Sequence, residues 1–232
     1  MSANTAKSAA AQKALDWIKP NMTVGLGTGS TAAFFIDHLG AAVREGLQIE
    51  TVATSIASKK QALANGIEVV EADETTHIQV AVDGADEIDR NMHLIKGGGG
   101  ALLREKIIAQ AAETFIVIAD QSKHVTALGA FALPVEIDPF CWGLTVQQVR
   151  QVLSAHGFDG QKVHLRGDEK GVFQSDGGHF ILDCALDRIE DPAPLDAALR
   201  SLPGVVETGF FLEMADTVLL GQADGTVEKI SR

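Results

Sequence analysis

The stretch TVGLGTGSTAAFFIDHL, residues 23–39, passes from a short apolar segment through a glycine-rich loop into a helical pattern. The same succession recurs along the first half of the chain. Strands are predicted at 23–27, 49–54, 67–72, 78–83 and 115–120, and helices at 30–44, 55–65 and 100–112, after an alanine-rich opening helix. Several strands are nearly continuous in Val, Ile and Ala, which is typical of parallel strands buried on both faces. We therefore predict an α/β fold with a doubly wound, mostly parallel, Rossmann-like sheet.

The pattern changes at about Leu133. Strand, helix, strand, strand, helix and strand are predicted at 133–138, 144–156, 162–166, 179–186, 193–201 and 205–210, an order that indicates a smaller ferredoxin-like α+β domain. The tail, residues 216–230, indicates a hairpin around Asp224-Gly225 that returns to the first sheet. We expect a Rossmann-like catalytic domain of residues 1–132 plus 209–232 and a ferredoxin-like domain of residues 133–208.

Composition excludes several classes of function. The net charge is −12, from 31 acidic and 19 basic residues, so neither nucleic acid nor an anionic membrane surface is an expected partner. No apolar run approaches the roughly 20 residues that span a bilayer. The opening residues contain no apolar signal region, Cys141 and Cys184 stand alone, and the seven histidines are scattered. These features predict a cytoplasmic protein with no disulfide and no metal site.

The loop GLGTGST, residues 25–31, follows a strand and opens a helix. Glycines let backbone N–H groups approach an anion, and hydroxyls on Ser30 and Thr31 could add to a phosphate cradle. A tight glycine turn without a ligand is the alternative. The Walker pattern is missing, and the dinucleotide fingerprint lacks its acidic residue at the end of the second strand, because Glu50 stands at the start of that strand.

The segment DGADEID, residues 83–89, should emerge at the carboxyl end of a strand. Two carboxylates as close as Asp83 and Asp86 can share or relay protons, since like charges raise one of their pKa values. The spacing of the acidic residues does not fit a calcium loop. A capped turn would use the same residue types, and this alternative applies more strongly to Glu87 and Asp89.

The segment KGGGGALLREK, residues 96–106, places Lys96 before four glycines and Glu105 on the next helix. Each glycine costs about 0.5–1 kcal/mol against alanine in regular structure, so the run indicates a use for bare amides. Lysine, amides and a helix N-terminus together suggest a pocket for an anion that develops during a reaction. Glu105 shares a helical face with Ala101, Ile108 and Ala112, although a solvated glutamate remains an alternative. Lys123, just after a strand, is either solvated or a ligand-binding lysine.

Taken in order, five segments closely resemble type A ribose-5-phosphate isomerases: GLGTGSTAAFFI, ATSIASKKQA, VDGADEID, KGGGGALLREKI and IADQSK. The resemblance implies a Rossmann-like domain with a ferredoxin-like second domain. It also implies an enzyme that interconverts ribose 5-phosphate and ribulose 5-phosphate through an enediolate, without a cofactor. We expect a homodimer or homotetramer with a sugar phosphate as its small-molecule partner.

The resemblance also implies roles for individual residues. Glu105 matches the general base, and Asp83 and Asp86 match the carboxylates that bind sugar hydroxyls and assist ring opening. Lys96 matches the group that faces the enediolate oxygen. The remaining substrate-binding residues are Thr28, Gly29, Ser30, Thr31, Gly84, Ala85, Gly97, Gly98, Gly99 and Lys123, with Lys7 as a further candidate at the phosphate. The chain departs from the family pattern at 140–142 and 209–211, which concerns packing or subunit contacts.

Two other classes of protein share part of this pattern. A sugar-phosphate sensor would keep the phosphate loop without catalysis, but it would normally add a basic DNA-binding segment. It would also have no need for Lys96, the glycine run and Glu105 together. An NAD-dependent dehydrogenase is disfavoured by the position of Glu50.

Overall fold

The computed structural model describes residues 3–160, 162–169 and 171–232. The chain divides into two compact units. The first consists of Met1–Ala85, Arg104–His124 and Met214–Arg232, and the second of Asp86–Leu103 and Val125–Glu213. The domain boundaries expected from the sequence stay a prediction, because compactness does not test which segments fold independently.

The secondary structure consists of six α-helices, fifteen short or medium strands and two single 3₁₀ turns within the described residues. The helices are α1 Ala3–Ala14, α2 Ser30–Arg44, α3 Ile56–Ala64, α4 Leu102–Ala111, α5 Trp142–Ala155 and α6 Pro192–Arg200. The strands are β1 Thr23–Leu26, β2 Glu50–Ala53, β3 Ile78–Asp83, β4 Glu87–Ile88, β5 Leu94–Ile95, β6 Ala112–Asp120, β7 Leu133–Ile137, β8 Lys162–Leu165, β9 Gly167–Asp168, β10 Gly171–Val172, β11 Phe180–Ala185, β12 Val205–Thr208, β13 Phe210–Phe211, β14 Thr217–Gly221 and β15 Val227–Ser231.

The first unit is built on a six-stranded sheet of order β15-β14-β6-β3-β1-β2. All pairs are parallel except β14 with β15, which form the C-terminal hairpin. The central strand β3 reads IQVAVD and is buried along almost its whole length, as parallel strands covered on both faces must be. The predicted α/β class, its mostly parallel sheet and the returning hairpin are confirmed.

Helix α1 lies close to this sheet because its buried face consists only of alanines. Ala6, Ala10, Ala11 and Ala14 are buried, and a Cβ on Gly221 of β14 would come within 1.9 Å of the Ala6 carbonyl oxygen. Helix α2 instead buries large side chains, among them Phe35, into the same core. Small side chains thus set the short distance between α1 and the sheet, whereas large side chains fill the core between α2 and the sheet.

The second unit contains an antiparallel sheet of order β12-β7-β11-β8. With α5 between β7 and β8 and α6 between β11 and β12, this is the β-α-β-β-α-β arrangement predicted from Leu133 onward. Leu182 and Val149 are among the buried side chains of its core. A second small antiparallel sheet, β13-β5-β4, also belongs to this unit.

Three local predictions need correction. The strand predicted at 67–72 is wrong: the chain makes only a single parallel bridge, Thr51 with Val69, beside the edge strand β2. The sequence then continues into the acidic, exposed segment 71–75, which a sheet edge cannot bury. Helix α4 begins at Leu102, after Gly100 with φ 79°, and gives way to strand β6 at Ala112. Helix α5 begins two residues earlier than predicted, at Trp142.

In the part of the chain that the structure describes, no helix is long and apolar enough to cross a membrane.

Candidate active site

The glycine-rich segment at the end of β1 is packed too tightly for a side chain at two of its glycines. A Cβ on Gly27 would lie 2.0 Å from Asp83 Oδ1, and a Cβ on Gly25 would lie 2.5 Å from the Ile108 side chain of α4. Gly29 has φ 115° and precedes the first residue of α2, so its backbone conformation requires glycine. Glycine is therefore needed at positions 25 and 27 because neighbouring side chains approach closely, and at position 29 because of its φ angle.

Hydroxyl groups hold this loop in place. Thr28 Oγ1 lies 2.8 Å from the hydroxyl oxygens of both Thr54 and Ser55. Ser58 donates a 2.6 Å hydrogen bond to the Gly27 carbonyl, and the Ser55 side chain caps α3 by accepting from the Ser58 N–H. The Thr28 hydroxyl, predicted to bind substrate, thus also joins the carboxyl ends of β1 and β2.

The opening helix supplies a cation to the same loop. Lys7 Nζ donates a 2.9 Å hydrogen bond to Ser30 Oγ. Ser30 is exposed at the start of α2, whereas Thr31 is buried in its first turn. The start of a helix offers unpaired backbone N–H groups and a positive dipole end, so a lysine and a hydroxyl at this point favour an anion.

Asp83 lies at the carboxyl end of β3 and is only 3% exposed. Its Oδ1 accepts hydrogen bonds from the N–H groups of Thr28, at 3.0 Å, and Gly84, at 2.7 Å. Two such bonds stabilise the ionised carboxylate and fix its orientation. Asp83 therefore caps the turn that follows β3 and also lies beside the predicted phosphate loop.

Glu105 lies on α4 and is 3% exposed, so the solvated alternative is wrong. Arg104 and Lys106 on either side of it are only partly buried. The buried face of α4 includes Ile108, which packs where a Gly25 side chain would lie. The bare backbone of β1 therefore lets α4 approach the sheet, and this approach buries the carboxylate.

Lys123 closes the 3₁₀ turn Gln121–Lys123 that follows β6. The Asp120 side chain caps this turn by accepting from the Ser122 N–H at 3.0 Å. Lys123 is half-buried, and Gly84 and Ala85 are half-buried as well. All the predicted residues described so far belong to the first unit.

The second unit holds Asp86, Lys96 and the glycine run. Asp86 is half-buried, and its Oδ2 accepts a 2.8 Å hydrogen bond from the Gly98 N–H. Its neighbours have structural roles, as the capped-turn alternative predicted. Glu87 accepts the N–H groups of Gly129 and Phe131, and Asp89 Oδ1 caps the turn to β5 by accepting from the Asn91 N–H.

Lys96 is 2% exposed, and its Nζ lies 5.2 Å from the centroid of the Phe211 ring. Its backbone N–H donates to the Gly209 carbonyl at 2.9 Å, and a Cβ on Gly209 would come within 2.4 Å of the Lys96 carbonyl oxygen. Gly209 and Phe211 thus contact a predicted catalytic lysine, whereas Phe210, where the chain departs from the family pattern, is buried in the hydrophobic core of the second unit.

The glycine run beyond Lys96 alternates between buried and exposed positions. Gly97 and Gly100 are buried and have φ values of 108° and 79°, whereas Gly98 and Gly99 are exposed. Arg166 Nη1 donates to the carbonyl oxygens of Gly97, at 2.8 Å, and Gly98, at 3.3 Å. Arg166 thus holds two carbonyl groups of the run, and Asp86 accepts from the N–H group of Gly98.

Comparison with known proteins relates these two sets of residues to one family. The family model described as ribose 5-phosphate isomerase A (phosphoriboisomerase A) matches residues 50–225. The chain belongs to the ribose 5-phosphate isomerase A family. This family interconverts ribose 5-phosphate and ribulose 5-phosphate, so the predicted family and activity are confirmed.

Relatives match over nearly the whole chain. Ribose-5-phosphate isomerase A of Parvibaculum lavamentivorans is 49% identical over 227 residues, which cover 97% of this chain and 98% of the relative. The protein of the same name from Maricaulis maris is 45% identical, with 96% of each chain covered. Residues 1–49, which the family model does not match, thus have counterparts in full-length relatives.

Solved structures of the family have the same fold. A D-ribose-5-phosphate isomerase in complex with phospho-erythronic acid is 40% identical, with a TM-score of 0.92 and 100% of both chains covered. Ribose 5-phosphate isomerase from Plasmodium falciparum is 32% identical, with a TM-score of 0.93 and 99% of both chains covered.

The structure also describes the cysteines and the side chains that could bind a metal ion. Within residues 3–160, 162–169 and 171–232, no group of three or more His, Cys, Asp or Glu side chains is placed to hold a metal ion. Both cysteines are free thiols. Burial raises the pKa of the Cys184 thiol to about 12, so this thiol stays protonated at neutral pH.

Sequence reasoning missed several residues of the site. Arg166 and Phe211 contact the glycine run and Lys96, yet neither lies in a segment that resembles a functional motif. Lys7, which the resemblance suggested as a further candidate at the phosphate, does contact Ser30, 23 positions away in the chain. Only the folded chain brings these residues to the motifs.

Proposed function

We propose that this chain carries out the reaction of its family by proton transfer through an enediolate, with Glu105 as the general base. The observation that carries the proposal is a glutamate only 3% exposed on the helix that follows the glycine run. A carboxylate removed from water is a stronger base, because water no longer stabilises its charged form. A positioned base contributes about 10²–10⁴-fold to the rate.

The reaction needs one base and one stabilised oxygen. In the open-chain aldose, Glu105 takes the proton from C2, and the C–H electron pair forms the C1–C2 double bond while the carbonyl pair moves to O1. The double-bond electron pair of the enediolate then takes the same proton back from Glu105 at C1. The O2–H electron pair forms the C2=O2 carbonyl, and the proton that leaves O2 is transferred to O1, which becomes the C1 hydroxyl. Atoms and electrons balance without an oxidant.

Lys96 and the amides of Gly97 and Gly99 are assigned to the enediolate oxygens, while the amide of Gly98 holds Asp86, which is assigned to the sugar. A buried ammonium group and bare amides stabilise negative charge that develops in the transition state, and loss of one such donor typically costs about 10²–10³-fold.

Asp83 and Asp86 are assigned to the sugar hydroxyls and to ring opening. Opening the furanose requires a proton to leave the anomeric hydroxyl and another to reach the ring oxygen. Carboxylates held by backbone N–H groups, as both of these are, keep a defined orientation for that transfer.

The phosphate is assigned to the loop of Thr28, Gly29, Ser30 and Thr31, with Lys7 and Lys123. Lys7 and Ser30 already contact each other at the first turn of α2. The phospho-erythronic acid of the related structure carries a phosphate at one end and a carboxylate at the other, and a carboxylate resembles an enediolate in charge and planarity. This supports a substrate held by its phosphate while its other end reacts.

The test is the substitution Glu105→Gln in the full-length protein. We expect kcat to fall by about 10²–10⁴-fold, while binding of ribose 5-phosphate is retained, because the amide keeps the shape but cannot accept the proton. In deuterated water the variant should also lose exchange of the substrate C2 proton. Glu113→Gln, at an exposed residue paired with His77, is the matched control. Activity of Glu105→Gln within about tenfold of the parent would remove Glu105 from the role of base.

Assembly and location belong to the proposal as well. We propose that the protein forms a homodimer or a homotetramer and that it is located in the cytoplasm. Phe140 is 82% exposed, and Trp142 and Leu144 beside it are also exposed. A run of exposed apolar side chains favours a contact with a second copy.

A further inference from the structure

We propose that Arg166 is a positioning residue for the isomerase reaction, because it sets the direction in which the amides of the glycine run point. This inference rests on the proposed function, in which those amides stabilise the enediolate. Arg166 follows β8 and lies 69 residues from Gly97 in the chain. It does not touch the reacting atoms in this proposal and acts only through the backbone of the run.

The guanidinium group of Arg166 binds two partners through different nitrogen atoms. Nε and Nη2 bind both carboxylate oxygens of Asp183 on β11, with Nε 2.9 Å from Oδ2. Nη1 is directed to the carbonyl oxygens of Gly97 and Gly98. A bidentate pair with a carboxylate fixes the plane of the guanidinium group, so the direction of its remaining donor is also fixed.

The peptide group between Gly97 and Gly98 is held at both ends. Its carbonyl accepts from Arg166, and its N–H donates to Asp86 Oδ2 at 2.8 Å. In a planar trans peptide the C=O and N–H bonds point in opposite directions. Arg166 and Asp86 therefore prevent this peptide from rotating, which a glycine backbone would otherwise do easily.

The next peptide group follows the same geometry. The Gly98 carbonyl also lies within 3.3 Å of Arg166 Nη1, so the N–H of Gly99 in that planar peptide points away from the arginine. Gly98 and Gly99 are the exposed members of the run. Arg166 thus fixes the direction of two successive N–H groups: that of Gly98 is directed to Asp86, and that of Gly99 points away from the arginine.

An aromatic ring completes the clamp. The Phe173 ring centroid lies 5.8 Å from the Arg166 guanidinium carbon. A Cβ on Gly100 would come within 2.3 Å of the same ring. The ring therefore limits movement of both the guanidinium group and the end of the run, and Phe173 follows the hairpin of β9 and β10.

The test compares Arg166→Met and Arg166→Lys with Arg200→Met in the full-length protein. Arg200 is the matched control, because it also pairs with two carboxylates of the second unit, Asp196 and Glu207. For Arg166→Met we expect kcat to fall by about 10–10²-fold with KM within about threefold, since displaced donors weaken the transition state more than the substrate complex. Lysine should restore little, because one ammonium group cannot bind the carboxylate and both carbonyls in a fork geometry.

A second measurement separates positioning from general damage. Amide resonances of Gly98 and Gly99, followed in protein labelled only at glycine, should shift and exchange faster with solvent in Arg166→Met and stay unchanged in Arg200→Met. The proposal is overturned if kcat stays within about threefold of the parent. It is also overturned if kcat falls while these two resonances are unchanged, or if Arg200→Met loses as much activity.

Failure of this inference differs from failure of the proposed function. An inactive Glu105→Gln with an active Arg166→Met leaves the proton-transfer mechanism in place and rejects only the clamp. An active Glu105→Gln rejects the mechanism, whatever the arginine variants show.

Discussion

The protein contains two glycine-rich loops, residues 25–29 at the end of β1 and residues 96–100 after β5, and different interactions hold them in place. In the first loop, neighbouring side chains leave no room for a Cβ at two positions: Asp83 lies against Gly27 and Ile108 against Gly25. In the second loop, charged groups hold the peptide bonds, with Asp86 on an N–H and Arg166 on two carbonyls.

The difference matches the two tasks proposed for the loops. A phosphate keeps its charge throughout the reaction, so a close-packed loop at the start of a helix suits it. An enediolate carries charge only in the transition state and the intermediate, so its donors must be oriented beforehand. Hydrogen bonds from the backbone to charged side chains orient its N–H groups.

The largest effect is expected where close packing is broken. In Gly27→Ala the new Cβ would lie 2.0 Å from Asp83 Oδ1, so the carboxylate must move away from its two N–H donors. We expect kcat/KM to fall by about 10²-fold or more, since a displacement near 1 Å in an active site has that effect. Steady-state kinetics on ribose 5-phosphate measure it, with the unfolding midpoint as a check on folding.

The control for this prediction is Gly143→Ala. Gly143 lies in α5, and a Cβ there meets nothing within 4 Å, so the substitution should leave activity unchanged. If Gly27→Ala kept activity within about threefold, close packing would not be what positions Asp83.

A smaller effect is expected in the clamped loop. In Gly98→Ala the new Cβ would lie 2.7 Å from Asp86 Oδ1, which is the end of a half-buried side chain that can turn aside. We expect kcat to fall about tenfold with little change in the unfolding midpoint, because Arg166 still holds the two carbonyl groups while the carboxylate of Asp86 shifts. A loss greater than that of Gly27→Ala would reverse the comparison between the loops.

The smallest effect is expected at the rim of the phosphate loop. Lys7→Met removes the ammonium group that contacts Ser30 and should raise KM for ribose 5-phosphate about three- to tenfold with kcat nearly unchanged. A substitution that weakens the binding of substrate and transition state equally raises KM and leaves kcat unchanged. Lys13→Met on the same helix, where Lys13 pairs with Asp16, should change neither constant. A fall in kcat for Lys7→Met would show that the phosphate contact also orients the reacting end.

The order of motifs along the chain was enough to predict the family, the mostly parallel sheet and the candidate residues. Apolar periodicity predicted β3 and its carboxyl-end aspartate, because parallel strands must be apolar on both faces. The same reasoning failed at 67–72, where an edge position and acidic neighbours outweighed local strand preference. It also could not choose between a buried and a solvated Glu105.

The sequence by itself determined most of the strands, loops and helices, since these follow from local periodicity and from the backbone freedom of glycine. Only the tertiary structure decided that Glu105 is buried, that Arg166 holds the glycine run and that Phe211 lies against Lys96. These contacts join residues far apart in the chain, and burial and hydrogen bonding depend on which distant groups exclude water and accept the donors.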